Sequence, residues 1–269
     1  MSENKFSLIN FGESKVPEKI YDDVLSEPSK KLGHALGTII NVGNSFLWPV
    51  KWANERTRIF FENNLKKYEE KISLIEEHKI IEVPTEISMP ILERFTYVSN
   101  DEISNAFVNL LSKASNIDTI NLAHPSFIQI IDRISPDEAL IIKLFSEKDF
   151  IPYLTIGKYV IKDDKVNFNK YINLLVKANL ITELIKISFN ENIGLYIDNL
   201  ISLGLIRDVT YYFTKSEDEF EKIEKLFEFK CKNAFDDLDE KHKDKSKRME
   251  KGMYELTEFG KLFTKACLK

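Results

Sequence analysis

Residues able to do chemistry are sparse in this chain and lie far apart. The four histidines, His34, His78, His124 and His242, fall in no H-x-x-x-H, H-E-x-x-H or Cys/His spacing, so they form no metal-ligand pattern. Cys231 and Cys267 are the two cysteines, too few for a disulfide framework or a Cys-based zinc site, and they suit a reducing, cytoplasmic setting. The adjacent carboxylates Asp163 and Asp164, and Asp236 and Asp237, stand in polar runs where nothing would raise a pKa for general acid work. The patterns G-x-S-x-G, G-x-x-x-x-G-K-[ST] and G-x-G-x-x-G are missing, and with them the usual support for a hydrolase elbow, a P-loop or a dinucleotide fold. The expectation is a protein that is not an enzyme, with no catalytic residue, no metal and no cofactor.

Two clusters suggest contact instead of turnover. The first is basic: Lys241, His242, Lys243, Lys245, Lys247 and Arg248, broken by Asp244 and preceded by Asp236, Asp237, Asp239 and Glu240. Of these, Lys243, Lys245, Lys247 and Arg248 are the candidates for touching a nucleic-acid backbone, but the neighbouring acids blunt their field and a solvated loop is the simpler reading. The second is the segment from Ser29 to Trp48, which carries Gly33, Gly37 and Gly43 and ends in Trp48. Each glycine costs a helix roughly 1 kcal/mol relative to alanine, which asks for a close helix contact in return. His34, Asn41 and Asn44 make the segment too polar to span a bilayer. Its expected partners are therefore a protein of phage or host, a second copy in a homo-oligomer, or the surface of a membrane.

The elements that must position these residues read as mostly α. The chain has 269 residues, with 38 Lys and Arg against 43 Asp and Glu, a net charge of −5 that attracts neither nucleic acid nor anionic lipid overall. Lys outnumbers Arg by 32 to 6, and with 32 Ile and 20 Asn this points to an AT-rich, bacterial genome. Residues 1–16 read as a disordered leader without a secretory signal. Residues 17–134 read as a helical domain, in which Phe61, Leu65, Tyr68, Ile72 and Ile75 form a heptad seam expected to pack within the chain. Residues 80–90, with two prolines, read as an extended crossing. Ser99 with Glu102, Ser135 with Glu138, and Ser216 with Glu219 fit capping boxes.

Residues 135–269 read as a winged-helix-like α+β domain with a small antiparallel sheet and a helical insert at 216–242. Strands are expected near 153–161, 205–213 and 251–256, and helices near 168–178, 191–203 and from Thr257 onward. In such a domain Tyr254 and Leu256 pair back on the strand that starts at Leu205. The helix from Glu191 to Gly204 would be the one to enter a DNA groove, yet it has no Lys or Arg. Asn192 and Asn199 alone would read bases without cations to hold the backbone, which argues against nucleic acid as partner and leaves a winged-helix DNA-binding transcriptional regulator as the alternative.

The runs LGHALGTIINVGNSFLWPVKW, EVPTEISMPILERFTYVSNDEISNAFVNLLSKASN and HPSFIQIIDRISPDEALIIKLF occur in that order, followed by YIDNLISLGLI and YELTEFGKLF. Together they resemble the Abi-alpha family, named for abortive infection, over about residues 28–267. The resemblance implies a bacterial phage-defence protein that acts without established catalytic residues, so it transfers no residue roles.

Overall fold

A computed structural model describes residues 31–37, 55–148, 150–162, 165–209, 217–232 and 247–269. The helices are α1 (31–37), α2 (Glu55–Ser73), α3 (Thr85–Phe95), α4 (Asp101–Ala114), α5 (Ser126–Ile131), α6 (Pro136–Glu147), α7 (Ile181–Leu184), α8 (Ile193–Ser202), α9 (Glu217–Lys232) and α10 (Glu258–Phe263). The strands are β1 (Phe150–Lys162), β2 (Lys165–Ala178), β3 (Ile206–Val209) and β4 (Lys247–Leu256). The protein is mostly α, with one antiparallel four-stranded sheet in the order β2-β1-β4-β3. Chain contacts group into two units, one of residues 1–99 and 107–128 and the other of 100–106 and 129–269.

In the first unit, the heptad positions Phe61, Leu65, Tyr68 and Ile72 of α2 are buried. The polar atoms on that face are satisfied internally. Tyr68 shares a 2.6 Å hydrogen bond with Ser115, and Asn64 donates to the carbonyls of Phe95 and Val98 at 3.0 and 2.9 Å. Burial pushes the Tyr68 phenol upward, so the group is locked in its neutral form. Lys31 places its ammonium on the carbonyl of Ser73, the last residue of α2, and on that of Ile75 just beyond it, at 2.7 and 2.6 Å, where a cation suits the helix dipole. The expected crossing at 80–90 is extended only as far as Pro84. The chain turns helical at Thr85 and runs through Pro90, because Ile87, Ile91, Leu92 and Phe95 gain a buried face that outweighs one lost backbone donor.

In the second unit, Ser135 and Glu138 make the capping box that opens α6, with Pro136 in its first turn. The box expected at Ser99 is replaced by Asn100, whose side chain accepts from the amides of Glu102 and Ile103 at 3.0 and 3.2 Å. Glu102 is thereby released to pair with Lys143. Ser216 lies outside the described residues. Gly204 ends the turn after α8 at φ +70°, a conformation that favours glycine. Its carbonyl accepts from Thr257 at 2.6 Å, while the same hydroxyl oxygen caps α10 by accepting from Gly260 at 2.9 Å.

The sheet follows the expected pairing in part and departs from it in part. Tyr254 and Leu256 of β4 pair with Asp208 and Ile206 of β3, and α9 is inserted between the two strands. The expected strand at 205–213 is described as far as Val209, and the insert at 216–242 as far as Lys232. The helix expected at 168–178 is a strand. β2 pairs with β1 along its length, but the register shifts at three places and Lys177 takes φ +51°. Such bulges interrupt the in-and-out alternation by which a strand is recognised, leaving apolar residues at spacings that imitate a helix. β4 also begins earlier than expected, at Lys247, so Lys247 and Arg248 belong to a strand and not to a loop.

Candidate functional site

The two faces of the sheet have different chemistry. On one, Leu154, Ile156 and Ala178 pack with Ile223 of α9, and Leu174, Leu175 and Met249 surround them. The opposite face carries aromatic and polar side chains in a row. At the end of the row nearest β3, the rings of Tyr153 and Tyr254 stand 4.7 Å apart. Tyr153 donates to Asp208 at 2.6 Å, and Lys177 reaches the second oxygen of that carboxylate at 2.6 Å while lying 5.5 and 5.8 Å from the two rings. Burial raises both phenols, and the charge on Asp208 raises them further, so neither is a source of protons or of phenolate near neutral pH. Gly252 lies opposite Tyr153 in the register, and the tyrosine ring covers the space that a Cβ there would occupy.

The far end of the row is exposed. Pairing between β1 and β4 ends at Lys158 and Lys247, so from Tyr159 onward β1 and β2 continue as a two-stranded ribbon among the described residues. On it, Tyr159 meets Phe168 edge-on at 5.1 Å and Tyr171 edge-on at 6.4 Å. The guanidinium of Arg248 lies 3.5 Å from the centre of the Tyr171 ring, donates to Asn173 at 3.0 Å and pairs with Glu250. β2 is an outer strand, and its Phe168, Ile172 and Val176 are 66%, 53% and 64% exposed, too much apolar surface for a chance scatter of single residues. β1 and β2 hold Lys158, Lys162, Lys165, Lys170 and Lys177 and no carboxylate. Asp163 and Asp164, between the strands, lie outside the described residues.

The candidates from sequence are distributed as follows. Lys243, Lys245, Gly43 and Trp48 lie outside the described residues. Lys247 and Arg248 are neighbours on β4 and so point to opposite faces: Lys247 pairs with Glu224 of α9 at 2.5 Å, and Arg248 joins the aromatic row. Gly33 and Gly37 sit in α1, and among the described residues a Cβ at either would meet no atom within 4 Å. Asn199 of α8 turns inward, donating to the Arg133 carbonyl at 3.1 Å and to Glu138 at 2.7 Å. His124 accepts from the amide of Ser126 at the start of α5, and His78 pairs with Glu76 at 3.5 Å. Cys267 is buried, and burial pushes its thiol well up. Among the described residues, no three His, Cys, Asp or Glu side chains gather into a metal-binding group, and no helix is long and apolar enough to cross a membrane. Tyr159, Phe168 and Tyr171 escape a reading that takes β2 for a helix. The signal that would have found them is the run of lysines, asparagines and aromatics without any acid from Lys165 to Ala178.

The family model described as abortive infection alpha matches residues 58–267, more than half of the chain. No protein of curated function matches it. A solved structure of an uncharacterized protein from the hydrocarbon-degrading marine bacterium Alcanivorax borkumensis SK2 is 15% identical, covering 57% of this chain and 96% of that one with a TM-score of 0.34, too low to carry an argument.

Proposed function

This chain belongs to the abortive infection alpha family, and from that membership we propose that it is a bacterial phage-defence protein that works by contact and not by turnover. The contact surface in this reading is the outer strand β2, from the exposed end of the β1–β2 ribbon to Val176, with a protein, nucleic-acid or membrane partner. The observation that carries it is the exposed apolar and aromatic set Phe168, Tyr171, Ile172 and Val176 on an outer strand. Natural proteins blunt such edges unless something uses them. Support also comes from the way the described chemistry-bearing groups are engaged: Asp208 is bound by Tyr153 and Lys177, and the buried phenols stay neutral. The alternative of a DNA-reading winged helix loses one of its two base-reading candidates to Glu138 and Arg133, where Asn199 holds α8 in place.

The test is a phage challenge of cells expressing the wild-type chain or the variants Phe168→Ser, Ile172→Ser and Val176→Ser. These substitutions lie on the exposed strand and should leave the melting temperature nearly unchanged. Loss of protection at normal protein level supports the reading, and full protection by the triple variant refutes it.

A further inference from the structure

We propose that the open end of the sheet binds single-stranded nucleic acid, with bases stacking on Phe168 and Tyr171 and phosphates held by Lys162, Lys165 and Lys170. The proposal rests on the reading of the ribbon as the contact surface and names its partner.

The charge balance favours a polyanion. The chain carries −5 overall, yet β1 and β2 contribute five lysines against the two aspartates, Asp163 and Asp164, that join them in the sequence, and Lys162, Lys165 and Lys170 are exposed. Among the described residues, Glu250 on this face pairs with Arg248, so the two charges offset each other. The aromatic geometry favours bases. Tyr159 meets both Phe168 and Tyr171 in T-shaped contacts, each of which takes up at most one face of one ring, so the outer faces of Phe168 and Tyr171 stay on the surface. Phe168 and Tyr171 are 66% and 48% exposed. The guanidinium stacked on Tyr171 extends the same platform. A flat base gains by stacking on an aromatic face whatever its identity, which suits a site with few aligned hydrogen-bond donors.

Asn167, Asn169 and Asn173 are interleaved with the aromatics, and these amides favour a polar, base-bearing ligand over the acyl boundary of a lipid surface. Only a single strand offers base faces, since in a duplex they are stacked on each other. The lack of cations on α8 is no obstacle, because the ribbon supplies them elsewhere in the same unit.

The experiment is fluorescence anisotropy with the full chain and labelled oligothymidylate and oligouridylate of about 20 nucleotides, long enough for one site. At about 50 mM salt, binding is expected, and log K should fall against log salt with a slope of roughly −2 for three phosphate contacts. Lys165→Gln with Lys170→Gln should flatten that slope by about 1.4, and Phe168→Ala should weaken binding about tenfold. Lys66→Gln, an exposed position in the other unit, should change nothing. The lysine variants are surface changes, so they decide the matter even if Phe168→Ala unfolds.

No binding at low salt overturns the proposal. So does binding that the ribbon variants leave intact, a preference for duplex of the same sequence, or a preference for phosphatidylglycerol vesicles over the oligonucleotides. Run beside the phage challenge, the two readings separate. Ribbon variants that lose protection in a chain that binds no oligonucleotide refute the nucleic-acid partner and keep the contact surface. Oligonucleotide binding that disappears in the ribbon variants while protection persists keeps the partner and refutes the role in defence.

Discussion

Asp137 is a carboxylate that burial alone would make harder to ionise, yet its pKa is lowered, because Ser188, Tyr196 and Phe189 donate to it. A depressed carboxylate pKa gives stability that is complete above the unfolded value, about 3.9, and is lost as pH falls through the folded value. Asp137→Ala strips acceptors from two amides and a phenol and should cost about 2–4 kcal/mol at neutral pH. Urea unfolding at a series of pH values should show the wild type losing its advantage over the variant below about pH 4. Gly252→Ala should cost about 1–3 kcal/mol by driving a methyl into the Tyr153 ring. In a double-mutant cycle with Tyr153→Ala the two costs should fail to add, whereas additive costs would separate the glycine from the ring. Side chains that act on their own local backbone were legible in sequence, as Ser135 and Glu138 were. Asn100 was not, because Ser99 beside it offers the same hydroxyl-to-carboxylate spacing one residue early. The Asp137 cluster was illegible because its donors lie some fifty residues downstream.

At the scale of elements, the helices followed from apolar spacing wherever one face was buried, as in α2 and α8. β2 did not, since its bulges erase the period of two and Phe168, Tyr171, Ile172 and Val176 are exposed although apolar or aromatic. With β2 taken as a helix, the ribbon disappeared, and with it the candidate site. α1 offers a test of its own. The two glycines suggest close packing from sequence, but a Cβ at Gly33 meets only open space. Gly33→Ala should therefore stabilise the protein by up to about 1 kcal/mol and raise the melting temperature. A fall in melting temperature would mean that the glycine does face a close neighbour.

For the whole molecule, chain contacts form two units whose segments interleave along the sequence, the second taking in 100–106 as well as 129–269. Within that second unit, Lys143 pairs with Glu102, and Ile130, Ile131 and Ile134 are buried. A fragment of residues 135–269 lacks Glu102 and all three isoleucines, and should unfold in urea with a shallow, non-cooperative transition. A steep transition like that of the full chain would show that those segments add little. Pairing of neighbouring elements can be read from a sequence; contributions that return from a distant segment cannot, because nothing in their local spacing records the partner.

The clasp between α6 and α8 has a bearing on how such a protein changes over generations. Asp137 and Glu138 reach directly to Ser188, Phe189, Tyr196 and Asn199, so the helical frame is closed by bonds that bypass the ribbon inserted between them. Among the described residues, no pairing to β4 beyond Lys158 fixes how long that ribbon must be. Related chains are free to lengthen, recharge or restock its tip while inheriting the frame unaltered. Diversity among relatives should accordingly be concentrated between residues 159 and 171, and constancy at the clasp.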